Sequence, residues 1–128
     1  MSENWQDKYR GTTTYFKVYA ALVNAAECRG LVTYQEIAQI MGLPLSGSHM
    51  GREVGNMIGV ISEDEIAYGR PMLSAIVVGV NGKPGDGFYA WARELGRFQG
   101  DSKEDKERFW AQEREAVYET WKKTFSNR

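Results

Sequence analysis

The sequence predicts an α+β domain, and three observations point to it. Apolar side chains recur at helical spacing at Tyr15, Val18, Tyr19, Leu22 and Ala26, so the chain begins helical. That period disappears over residues 72–80, MLSAIVVGV, where Val and Ile crowd together as in a buried strand. It returns near the end, where Phe109, Trp110, Val117, Trp121 and Phe125 mark the inward stripe of a long closing helix.

Residues 1–10 are polar around one tryptophan and read as a flexible N-terminal arm, leaving residues 11–128 as a single domain. The first helix starts near Thr12 and stops at Gly30. Leu31 and Val32 make a short extended bridge. Thr33 and Glu36 then have the spacing of a capping box, in which each side chain accepts from the other residue's backbone N–H. The second helix, Tyr34–Met41, buries Ile37, Ile40 and Met41 and ends at Gly42, with Pro44 just beyond. LPLSGS is a turn, and Ser48 caps a third helix with Met50, Val54, Met57, Ile58 and Ile61 on one face. Glu63, Asp64 and Glu65 follow as a solvated acidic turn before the strand. Asn81-Gly82 and the nearby Pro84, Gly85 and Gly87 form a loop after it. A short helix over residues 88–95 packs Phe88, Trp91, Ala92 and Leu95 and ends at Gly96, and Asp101 or Ser102 caps the last helix.

At 128 residues the chain can bury one core but not two. Its one cysteine, Cys28, reads as a core thiol and excludes an internal disulfide or a zinc site built on paired cysteines. No apolar run approaches a membrane span and the polar start has no signal-peptide core, so a cytoplasmic protein is expected. With 16 basic and 17 acidic side chains there is no overall field toward nucleic acid or anionic lipid, so any such binding rests on a local patch.

His49 is the one histidine and has no ligand-spaced partner, so a capping or surface role is expected and a metal site or a Ser-His-Asp triad is not. No catalytic residue, metal or cofactor is assigned, and the expectation is a protein that is not an enzyme. NGKPGDG lacks the ending of a phosphate-binding loop and reads as a turn. The third helix is more informative. Gly51, Gly55 and Gly59 recur every four residues as a flat strip, against which something presses closely. Beside them Ser48, Arg52 and Asn56 form a polar row, suited either to base and phosphate contact or to a plain hydrophilic face. Two helices around a turn, followed by a strand and a loop carrying Lys83, have the order of a helix-turn-helix with a wing. The expected architecture is therefore winged-helix-like, a helix-turn-helix plus small sheet and wing, closed by the long C-terminal helix.

The run VTYQEIAQIMGLP, then GREVGNM, RPMLSAIVV and GKPGDGF, resembles in sequence and spacing the C-terminal winged-helix domain of alkylguanine-DNA alkyltransferases and their non-catalytic alkyltransferase-like relatives. The likeness covers roughly residues 30–96. It implies that Tyr34 lies near a target nucleotide's phosphate and that Arg52 fills the gap left by a flipped base. Pro71 matches the family's PCHR segment, but Met72, Leu73 and Ser74 follow it, so the alkyl-accepting cysteine and its activating histidine are both missing. The alkyltransferase-like proteins usually carry a tryptophan there and keep the following histidine and arginine, which this chain does not. Between Tyr34 and Arg52 the chain is also several residues longer than the family pattern. The sequence is similar, too, to small uncharacterised bacterial proteins sharing the TY, PGxGF and FW pattern.

The function expected from this reading is non-catalytic DNA binding through a recognition helix, with Tyr34, Ser48, Arg52, Asn56 and Lys83 as the nucleic-acid-binding residues and double-stranded DNA as the partner. The alternative is a protein-interaction or regulatory module using the glycine strip or the aromatic C-terminal helix. A third reading is a small-ligand pocket lined by aromatics near Pro71 and Phe88.

Overall fold

The computed structural model describes residues 5–123. In chain order it contains a short 3₁₀ helix Trp5–Lys8, α1 Thr13–Glu27, β1 Val32–Thr33, α2 Tyr34–Met41, α3 Ser48–Ala67, a second 3₁₀ helix Leu73–Ile76, β2 Val77–Val78, α4 Asp86–Glu94 and α5 Lys103–Trp121. The two strands run parallel, with Val32 opposite Val77 and Thr33 opposite Val78. The described residues are thus mostly helical around one small sheet. None of their helices is long and apolar enough to cross a membrane.

Local signals set the first two helices. Thr12 accepts the Tyr15 N–H at 3.1 Å, and Tyr15, Val18, Leu22 and Ala26 form the buried face of α1. The left-handed residue that ends this helix is Arg29 (φ 56°) rather than Gly30, whose N–H returns to the Ala25 carbonyl at 2.8 Å. Cys28, expected in the core, is exposed. It lies two residues beyond Ala26, on the opposite side of the helix. α2 has the expected bounds, both halves of the Thr33–Glu36 capping box, and a left-handed stop at Gly42 (φ 74°).

α3 departs from expectation at both ends. Gly47 is its N-cap and Ser48 is already helical, with no side-chain cap bond. At the far end the acidic residues 63–65 are not a solvated turn, because the helix continues through them to Ala67. Tertiary partners make this possible: Arg10 pairs with Glu63 and Asp64 at 2.7 and 2.9 Å, the Tyr15 hydroxyl donates to Asp64 at 2.7 Å, and Arg70 meets the fully buried Glu65 at 2.6 Å. Arg10 belongs to the segment expected as an arm, so residues 5–10 lie against α3.

Residues 72–80 do not form the long strand their composition suggests. The backbone turns through Leu73–Ile76 and is extended and paired only at Val77–Val78. Side chains supply the hydrogen bonds a ladder would otherwise make: Met72 N–H donates to Glu113 at 2.9 Å, Ser74 N–H to Ser62 at 3.0 Å, and the Ala75 carbonyl accepts from Trp110 Nε1 at 2.8 Å. Because the sheet is parallel, the following loop is not the turn of a wing hairpin. It closes on itself through Gly79 N–H to the Lys83 carbonyl at 3.0 Å. α4 starts two residues earlier than expected, and Ser102 caps α5 in a box with Asp105. On α5, Val117 is buried and Phe109, Trp110 and Trp121 pack half-buried against the core, while Phe125 lies outside the described residues. The fully buried Leu22, Ile37, Met57, Ile61, Leu73 and Ile76 join α1, α2, α3 and the 3₁₀ segment in one core, each contributing about 1.5–3 kcal/mol.

Candidate functional site

α3 packs its apolar face on this core and carries two neighbouring rows beside it, one of which ends at the buried Gly59. Gly51, Gly55 and Gly59 make one row, Arg52 and Asn56 the other, and both line a cleft of about 470 Å³. Tyr34 from the start of α2, Phe88 and Trp91 from α4, and Trp5 form its walls; Ser74 and Val77 also line it.

The three glycines are not equivalent. A Cβ on Gly59 would come within 3.3 Å of the Trp5 ring and 3.7 Å of Trp91 Nε1, the donor that bonds the Gly59 carbonyl at 2.9 Å. A Cβ on Gly51 or Gly55 would meet nothing within 4 Å. Among the described residues, the close neighbour expected along the whole strip is thus found only at Gly59.

Of the five candidate residues, the cleft brings together Tyr34, Arg52 and Asn56. Burial pushes the Tyr34 phenol up, which keeps it a hydrogen-bond donor at neutral pH. The Arg52 side chain is 63% exposed, 3.3 Å from His49 Nδ1 and 3.8 Å from Glu53, so most of its donors face solvent. Ser48 is exposed in the first turn of α3, outside the cleft lining. Lys83 is also exposed, in a loop whose Gly79 and Val80 share a smaller depression, about 230 Å³, with Tyr34 and Met50. Tyr34 therefore stands between the cleft and that loop.

Met72 and Leu73, at the positions where the resemblance would put acceptor cysteine and histidine, are wholly buried, and neither they nor Pro71 line the cleft. Ser74 does, with its Oγ bonded to Ser62 at 2.8 Å. His49 is exposed. Sequence reasoning missed Trp5, Gly85, Gly87 and Glu94 as lining residues. A tryptophan in an otherwise polar start was the one signal available for Trp5. No family model, curated protein or solved structure matches this chain.

Proposed function

We propose that the protein binds nucleic acid without performing chemistry on it, using α3 as the recognition helix of a helix-turn-helix arrangement that lacks a wing hairpin and the cleft beside it as the seat of an unstacked base. The observation that carries this is the pair Gly51 and Gly55. Each costs about 1 kcal/mol of helix propensity against alanine, yet among the described residues no tertiary neighbour lies within 4 Å of where a Cβ would stand. A flat group approaching from outside does need that space.

The polar groups around the glycines suit that approach. Arg52 matches a guanine edge or a phosphate, and Asn56 matches an adenine edge. The protonated Tyr34 phenol donates to a phosphate oxygen. Ser48, in the first turn of α3, and Lys83, in the loop beside Tyr34, contact phosphate at either side. The resemblance to the alkyltransferase domain gives Tyr34 the same place beside a phosphate and puts Arg52 in the gap left by a flipped base, and the missing acceptor and base support binding without transfer. With net charge −1, affinity is modest and its salt dependence shallow.

Fluorescence anisotropy with short duplex and single-stranded DNA at low salt tests this. The expected result is binding that weakens with salt and falls several-fold in Arg52→Ala, with a salt slope shallower by about 0.9. No binding of either DNA at tens of micromolar protein would overturn the reading. The indole and phenyl walls of the cleft favour one second reading, a flat heterocyclic small molecule. Binding of free nucleosides without binding of DNA would select it.

A further inference from the structure

We propose that residues 5–10 are a strap that completes the cleft, with Trp5 as the wall that restricts the occupant to a flat aromatic ring. This rests on the cleft being the binding site argued above.

Trp5 lines the cleft and is 39% exposed, so the indole is seated without being buried in the core. It meets Trp91 edge to face, with centroids 5.2 Å apart and planes at 63°. The two indoles form a corner over Gly59, and the single N–H of Trp91 is already committed to the Gly59 carbonyl. What Trp91 adds to this corner is aromatic surface without a free hydrogen-bond donor. Such a corner favours stacking and leaves polar discrimination to Arg52 and Asn56.

The anchors of the strap explain why the wall stays in register with the floor. Lys8 pairs with Glu53 at 2.7 Å, the Tyr9 hydroxyl donates to the same carboxylate, and Arg10 holds Glu63 and Asp64. All three acceptors lie on α3, the helix whose glycines floor the cleft. Wall and floor are therefore tied to one rigid element, and Glu53 is the immediate neighbour of Arg52.

The test compares a duplex carrying one unpaired purine with the same duplex carrying an abasic residue at that position, by anisotropy, for the wild type, Trp5→Ala and Trp5→Phe. The wild type should prefer the unpaired base by about tenfold, the scale of one base–aromatic stack. Trp5→Ala should bring that ratio close to one by weakening the unpaired-base duplex more than the abasic one, and Trp5→Phe should retain most of it. A wild type without the preference, a Trp5→Ala variant that keeps it, or one that weakens both duplexes equally would overturn the proposal. If the wild type binds neither duplex, the nucleic-acid reading fails separately. The strap is then judged by titrating adenosine and guanosine against tryptophan fluorescence: quenching lost in Trp5→Ala supports it, and unchanged or absent quenching overturns it.

Discussion

The Glu53 carboxylate is almost out of solvent yet keeps its charge, because Lys8 and Tyr9 both donate to it. These hydrogen bonds, Lys8's first, hold its pKa below the ordinary carboxylate value of 4.5. A carboxylate with a lowered folded-state pKa stabilises the fold fully above its unfolded value and loses that contribution as pH falls through the folded one. The groups facing Glu53 are Lys8 and Tyr9 from the strap and His49 and Arg52 from α3. The clasp should therefore be intact at neutral pH and open only in acid below that value. Tryptophan emission should shift to the red there, before global unfolding by circular dichroism, and Glu53→Gln should show a weakened form of the same shift at neutral pH. Emission that stays constant until the helices melt would contradict this. The same carboxylates show what single residues disclose in sequence. The Thr33–Glu36 box was legible because both partners lie within one turn. The acid run at 63–65 was not, because Arg10 and Arg70 pair with it and the Tyr15 hydroxyl donates to it, from positions up to 54 residues away. Ser48 has a capping residue's chemistry, but Gly47 occupies the cap.

Among the elements, α3 carries the clearest conflict between stability and use. Gly55→Ala adds a methyl that meets no tertiary neighbour among the described residues, so it should stabilise the protein by about 1 kcal/mol through helix propensity alone. The same methyl projects into the cleft floor, so DNA affinity should fall while the denaturation midpoint rises. A variant that gains stability and binds as before would mean that the glycine strip has no binding role. The four-residue spacing made this strip and the Arg52–Asn56 row visible in the sequence, since both follow from the helical period. Residues 72–76 resisted the same treatment. Their apolar run suits a strand or any fully buried segment, and the choice was made by Ser62, Trp110 and Glu113, which satisfy the backbone from α3 and α5.

At the scale of the whole molecule, the cleft is assembled from five stretches that are distant in sequence: the N-terminal turn, the start of α2, two rows of α3, the second 3₁₀ helix with β2, and α4 with the residue before it. The pieces on α2 and α3 could be read in advance because each belongs to a helix with a clear period. Trp5 could not, since its place depends on anchors to α3 that only the folded chain brings within reach. The near-neutral charge belongs to this scale as well. Lys8 and Arg10 are committed to carboxylates of α3, and Arg52 is the one cation lining the cleft among the described residues. The most direct measurement of the central claim is a ¹⁵N–¹H correlation spectrum of the protein titrated with a short duplex at low salt. The expected shifts are concentrated at the amides of Gly51, Arg52, Gly55 and Asn56 and at the Trp91 indole N–H. A spectrum that does not change, or that changes only on the outer face of α5, would contradict it.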